Sequence, residues 1–540
     1  MPRSTASRLL LTLASTAALA ACGTTVPGTG TVAGQTTGGL TAPANGTGSM
    51  AAGGSSLSVA GGGSGVPTGG GTTAGGGSSG TLSSGAAGTS APGTSPGAPA
   101  PGQGAPLSTQ KAPGVTATTI QVGYAYSVNG AAANNAIGAA GVTQGDEKGE
   151  AQAVINDMNA HGGILGRKIV PVWHPVDALS DATIDEQFEA ACADFEQDHH
   201  VFVIVLGASP IIENCAQRAG AVGVYENLSA SSAQTFRKYP SYVEVSMIDL
   251  NRMVLNEALA LSAQNYFTSW DTVNGKPAAV GGTGKVGIIG YDNPDYHNAI
   301  DNVLLPELAR LHHPVAKSDV IYVAQPQRTS DIGSLSAAMA NAVVRLRQDG
   351  VDHVLPVDVD GTLTLELLNQ AESQHWRPRY GWSSQNAPEL LASTGDAPSR
   401  QLVGSMGIGY LPVIDLTSQD DADNGPYSNA ARRSCLKLLT KHGFSFADNN
   451  AKIVGLVVCN QFRFIKVAIE AGGRSITQAS FIAGVNSLGS KFQTADGVST
   501  FFSPAQHDGG GSYRYYAYQS SCGCMRYTSG EKPAIGEGIR

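Results

Sequence analysis

Hydroxyl, amide and carboxylate side chains recur in this sequence just after short extended runs, and those positions are where binding chemistry could be done. Ser127 and Asn129 follow Ile120 to Tyr124, Ala208 and Ser209 follow Val201 to Leu206, and Ser229, Ala230 and Ser231 follow Ala221 to Tyr225. Farther on, Tyr291 and Asp292 follow Lys285 to Gly290, Asp360 follows His353 to Val357, and Ser384 and Gln385 follow Arg379 to Trp382. Such groups, gathered at strand ends, can hydrogen-bond a small polar solute. Ser209-Pro210 also matches a helix start, with serine as the N-cap and proline at the first helical position. Backbone N–H groups left free there would suit a carboxylate, or Ser209 serves only its own helix.

Patterns that would carry catalysis or a cofactor fail on inspection. Gly281-Gly282-Thr283-Gly284-Lys285 looks like part of a phosphate loop. It precedes a strand where it should follow one, and Val286 stands where Ser or Thr is required, so it reads as a linker turn. Gly404-Ser405-Met406-Gly407 lacks the glycine two places before serine that a nucleophile elbow needs. The pairs His199-His200 and His312-His313 are adjacent, so their side chains do not face one site. Asp420-Asp421 reads as a solvated loop. The expectation is a protein that is not an enzyme and uses neither a cofactor nor a metal.

The elements that would position the polar residues alternate. Thr118 to Asp177 reads as a buried strand, a glycine-containing loop, an amphipathic helix with Ala151, Val154, Ile155 and Met158 on one face, and a second strand after Gly162-Gly163. A crossover helix joining two strands implies parallel pairing. The continuous apolar run Val201 to Leu206 marks a strand buried on both faces. A second series begins with a helix over Arg252 to Phe267 and continues through strands at Lys285 to Gly290, Ser318 to Val323, His353 to Val357, Arg379 to Trp382 and Gln401 to Met406. Val454 to Ala471 reads as a long helix and Tyr513 to Tyr527 as a hairpin. Two strings of βα units predict an α/β protein of two doubly wound lobes joined by several crossings.

At 540 residues the chain exceeds what one core usually organises. Its net charge of −9 and low charged fraction argue against a nucleic-acid partner, which would need a basic face, without excluding one small basic patch. Arg3 and Arg8 precede an apolar stretch from Leu9 to Ala18, the pattern of a secretory leader. Leu19-Ala20-Ala21-Cys22 resembles the lipobox of bacterial lipoproteins, which implies lipidation at Cys22 and a signal peptide over residues 1–21. Gly23 to Gln110 contains no Asp, Glu, Lys or Arg and almost no large apolar residue. Such a segment cannot offset the entropy of ordering itself, so residues 22–112 read as a disordered, lipid-anchored stalk. Its end-to-end distance would be on the order of 50 Å. Apart from Cys22, the cysteines are Cys192, Cys215, Cys435, Cys459, Cys522 and Cys524, an even set that suits an oxidising compartment. Connectivity stays open, with local bridges preferred: Cys192 to Cys215, Cys435 to Cys459, and Cys522 to Cys524 with a metal pair as its alternative.

The run IQVGYAYSVNG, a helix, then NAHGGILGRKI resembles the opening of type I periplasmic solute-binding proteins, the branched-chain amino-acid receptor family. Gly162 to Arg167 is the most specific piece. VFVIVLGAS, KVGIIGYDNPDY and VVCNQFRFIKVAIEAGG are similar to later parts of the family pattern, in order, over roughly residues 115 to 520. The resemblance implies two Rossmann-like lobes joined by three hinge crossings, with a ligand cleft between them. The first lobe would be 113–247 with 411–503, and the second 248–410 with 504–540. It also implies a small polar solute, an amino acid, amide or similar, passed to a membrane permease of an ABC-type importer. The protein would then sit on the outer face of the cytoplasmic membrane. Two further readings stand: a ligand sensor feeding a membrane receptor, and a degenerate envelope protein that has lost its ligand. The sequence departs from the family in Tyr296-His297, where Tyr-Gly is usual, and in Trp382 to Asn386, which lacks the acid that holds a ligand ammonium group. Asp358 or Asp360 would have to substitute for that acid.

Overall fold

A computed structural model describes residues 106–205, 209–226, 230–273 and 276–536. The leader, Cys22, nearly all of the stalk, Ala208 and Ser229 lie outside these residues.

The first sheet is wholly parallel. Its strands are β1 (Thr119–Val128), β2 (Lys168–Asp177), β3 (Val203–Val205), β4 (Val222–Tyr225) and β5 (Tyr242–Glu244), in the order β2-β1-β3-β4-β5. Register between β1 and β2 runs unbroken from Thr119 beside Lys168 to Val128 beside Asp177. The helix Glu147–Ala160 makes the crossover, capped by Asp146, whose side chain accepts from the Gly149 N–H. It buries Ala151, Val154 and Ile155, the face its spacing predicts. Gly163, at φ +68°, turns the chain into β2, and an added Cβ there would lie 1.9 Å from the carbonyl oxygen of Arg167. Only glycine fits that turn.

A hairpin of β6 (Thr268–Val273) and β7 (Lys276–Thr283) leads into the second sheet. This corrects the expected helix to Phe267, which ends at Ala263. Gly281-Gly282-Thr283 belongs to the end of a strand and not to a linker turn. The second sheet contains β8 (Val286–Tyr291), β9 (Val320–Val323), β10 (His353–Pro356), β11 (Arg379–Trp382) and β12 (Met406–Gly409), all parallel. It continues through antiparallel β13 (Ser512–Gln519) and β14 (Cys524–Tyr527), with β15 (Lys532–Pro533) paired to β13. Its order is β14-β13-β12-β11-β10-β8-β9. The last parallel strand starts at Met406, whereas Gln401 and Leu402 lie in a short helical turn.

The chain passes from the first sheet to the second between Glu244 and Leu250, returns after Gly409, and crosses again between Phe502 and Ser512. On the return, the helix Asn449–Gly472 packs on the first lobe, where Phe462 stacks on Tyr124 and Gln461 accepts from the Tyr124 hydroxyl at 3.0 Å. The first and third crossings lie against each other. The Gly509 N–H donates to Glu244, and a Cβ at Gly509 would stand 1.9 Å from the Val245 oxygen. Arg252, just inside the second lobe, pairs with Asp508 of the third crossing and donates to the carbonyls of Gly510 at 3.0 Å and Ala534 at 2.9 Å.

The stalk expectation is corrected at its end. Ser108 and Ala112 hydrogen-bond to Ala479 and Ile476, and Leu107 packs on the core, so these residues belong with the first lobe. Disulfides join Cys192 to Cys215, Cys435 to Cys459 and Cys522 to Cys524. The triad of Cys192, Glu196 and Cys215 that would otherwise suit a metal is thus taken up by a bridge.

Loop-closure entropy sets what each bridge contributes. The first two span 23 and 24 positions and the third only two. Replacing Cys435 and Cys459 by serine should lower the unfolding free energy by about 3 kcal/mol, and replacing Cys522 and Cys524 by about half as much, as read from urea denaturation midpoints.

Candidate functional site

The carboxyl ends of β1, β2 and β8, and the loop after β10, meet at the gap between the lobes, where open α/β sheets bind ligands. Three adjoining cavities of about 210, 290 and 390 Å³ occupy this cleft. Ser127, Glu147 and Val457 border both larger ones, while Ile137, Asp360 and Thr362 border the largest and the outermost. The largest takes Ser127 and Glu147 from the first lobe and Asp360, Gly361 and Thr362 from the second.

Hydrogen bonds cross the cleft around these cavities. The Ile184 N–H donates to the Gln327 oxygen at 3.0 Å, and the Thr329 hydroxyl to the Ala178 oxygen at 2.6 Å. The Thr235 hydroxyl donates to Asp295 at 3.0 Å, and the Gly141 N–H to Asp396 at 2.9 Å. The lobes are therefore latched together at their rims.

The residues singled out by sequence fall into distinct places. Ser127 lines the cleft, but its N–H is taken by the Glu147 carboxylate at 2.9 Å. Asn129 adopts a left-handed conformation and donates to Asp177 at 2.9 Å, shaping the loop behind Ser127. Ser209 is buried and accepts from the Ile211 N–H, a helix cap, with buried Glu213 in the same first turn. Ala230 packs on the core and Ser231 is buried, its backbone oxygen accepting from Leu250. Tyr291 and Asp360 border the outer cavity. Asp292 is bound instead to the His297 ring at 2.9 Å. Of the two candidate acids, Asp358 turns inward to accept from Val359 and Thr364 N–H groups, leaving Asp360 to the cleft.

Ser384 and Gln385 serve the crossings. The Ser384 hydroxyl donates to Asp415 at 2.7 Å and accepts from the Tyr410 N–H at 2.7 Å, pinning the second crossing. Gln385 donates to the Ile248 oxygen in the first. Asp415 also accepts from the Tyr527 hydroxyl at 2.5 Å and the Leu411 N–H at 3.0 Å.

Sequence reasoning did not single out Glu147, Glu226, Gln461 or Thr362. An acid in the first turn of a helix reads as a complement to the helix dipole, and Glu147 does occupy that position. Its carboxylate also accepts from the Tyr124 hydroxyl at 3.2 Å, and burial raises its pKa. Burial likewise lifts Glu150 to about 8. Asp358 is held at about 7 by burial and then by the charge of Asp360, and Asp415 at about 7 by burial.

This is the fold of type I periplasmic solute-binding proteins. A solute-binding protein of an ABC transporter from R. palustris, in complex with 4-hydroxybenzoate, superposes with a TM-score of 0.54 at 16% identity, covering 78% of this chain and 99% of that one. A possible leucine/isoleucine/valine-binding protein from Rhodopirellula baltica gives 0.52 at 14% identity, over 76% and 97% of the two chains. A fatty acid ABC transporter substrate-binding protein from Thermomonospora curvata gives 0.51 at 16%, over 78% and 95%. No protein-family model and no curated protein sequence matches the chain. Among the described residues, no helix is long and apolar enough to cross a membrane.

The buried acids give stability a defined pH dependence. Folded-state values of about 7 for Asp358 and Asp415 and about 8 for Glu150 lie above the ordinary 3.8 and 4.5, so the folded state favours their protonated forms. Their contribution is complete below pH about 4 and is lost as pH rises through about 7 to 8. Melting temperature should therefore be higher at pH 5 than at pH 8, and Asp415→Asn should narrow that difference in parallel thermal melts.

Proposed function

We propose that this protein is an extracytoplasmic solute-binding lipoprotein that captures a small polar molecule between its lobes for an ABC-type importer. The observation that carries this reading is the cleft itself, whose largest cavity draws polar groups from both lobes, Ser127 and Glu147 facing Asp360 and Thr362. A ligand touching both lobes favours the closed state by its differential affinity, and a permease can recognise that state. The solved structures of this fold include solute-binding proteins of ABC transporters with hydroxybenzoate bound, which supports capture without naming this chain's ligand. Cys22 is the attachment point in this reading, and the uncharged segment after it the spacer between membrane and lobes. The ligand contacts in this reading fall to Ser127, Glu147, Tyr291, Asp360 and Thr362, which line the cavities, while the expected contacts at Ala208 and Ser229 lie outside the described residues.

Trp173 is the natural optical reporter, packed edge-on at 6.1 Å against Tyr126, which lines the middle cavity. Trp382, by contrast, is fully buried and stacked on Tyr380. A metabolite library screened by thermal shift should contain a compound that raises the melting temperature and changes tryptophan fluorescence. Trp173→Phe should abolish most of the fluorescence change and leave the thermal shift. A broad library without a single stabilising compound would remove the capture reading.

A further inference from the structure

The lining of the cleft is sorted by charge as well as by polarity. Aliphatic side chains make much of the largest cavity, among them Leu365, Leu390, Ile414, Ile453 and Val457. Its only charged lining groups among the described residues are two carboxylates, Glu147 from the first lobe and Asp360 from the second. The adjoining middle cavity adds Glu226, which is fully buried. One Glu226 oxygen accepts from Ser246 at 2.8 Å and Asn460 at 2.7 Å, and the other has no hydrogen-bond partner. Arg328, exposed at the outer cavity, is the one basic residue among the described residues that line the three.

Among the described residues, backbone donors at these walls that would receive an anion are already engaged. The Ser127 N–H is held by Glu147, the Thr362 N–H donates to Asp360 at 2.8 Å, and the Glu147 helix N-terminus faces its own acid. A carboxylate ligand would meet like charge from both lobes with few donors left to it. A cation would meet carboxylate acceptors at Glu147 and Asp360 that are held from behind.

We propose that the cleft selects a compact amphipathic cation, an apolar body bearing a primary ammonium or similar N–H group, with Glu147 and Asp360 closing on the charge from opposite lobes. This rests on the capture reading above and narrows it to a ligand class. The aliphatic wall receives the body, and one carboxylate per lobe makes the cation a link that favours closure. Specificity then comes from repulsion of anions as much as from attraction of the cation.

The test uses the full chain and matched probes that share a carbon skeleton: primary amines from isobutylamine to 2-phenylethylamine, and for each the carboxylate and the alcohol. Isothermal titration should show binding for at least one amine, at least tenfold weaker binding of its alcohol, and none of its carboxylate. Glu147→Gln and Asp360→Asn should each weaken the amine at least tenfold while changing the alcohol's affinity less than threefold, which separates loss of charge from loss of fold. A carboxylate that binds as tightly as its amine overturns the cation class, and so does an amine indifferent to both substitutions. If every amine fails while an uncharged or anionic library compound stabilises the protein, the class is wrong and capture stands. Failure of the entire library removes capture as well.

Discussion

The buried ion group at Arg252 is the constraint on which the two-lobed arrangement depends. Arg252 and Asp508 are both almost wholly inaccessible, and Asp249 joins them by accepting from the Arg252 N–H while its own N–H donates to Asp508 at 3.0 Å. Three segments that must run side by side, the first crossing, the third crossing and the tail at Ala534, are thereby tied at one guanidinium. Removing one partner of such a group strands a charge in the interior, which costs about 3 to 5 kcal/mol. The close approach at Gly509 makes the same junction sterically demanding, since a side chain there would force the crossings apart.

From that junction the cleft follows. With the first and third crossings held together and the second pinned through Ser384 and Asp415, the lobes share one polar seam from which both sheets extend. Strand ends then face each other, and the loops after β1 and β10 become opposite walls. The rim contacts at Thr329, Thr235 and Gly141 are single, partly buried hydrogen bonds, while the seam is buried and many-membered.

How far the sequence can be read depends on the range of the interaction. Strand and helix periodicity and the Gly162 to Arg167 turn are local, and they are legible; the cysteine spacings favour local bridges without fixing the connectivity. The strand-end positions of Ser127, Tyr291 and Asp360 are legible for the same reason. What a polar side chain at a strand end does is not, because its partner is distant: Gln385 meets Ile248 across 137 positions, and Ser384 meets Asp415 across 31. Both have the residue types of a binding loop and use them on the crossings. Glu147 shows the converse, a residue with an ordinary helix-start role whose place in the cleft arises from the packing of its helix. The hairpin of β6 and β7 is hidden in the sequence because its glycines resemble a linker, and the helix before it stops where Asn265 takes a positive φ of 56°.

The way residues 107–112 join the molecule has a mechanical meaning. They are fastened by Ser108 and Ala112 to the start of the helix Gln478–Asn486, on the first lobe, with Ser108 also beside Gly220. A pull on the chain before Leu107 therefore loads the first lobe directly. Among the described residues the second lobe takes no part in that attachment, so a load on this segment reaches it only through the crossings.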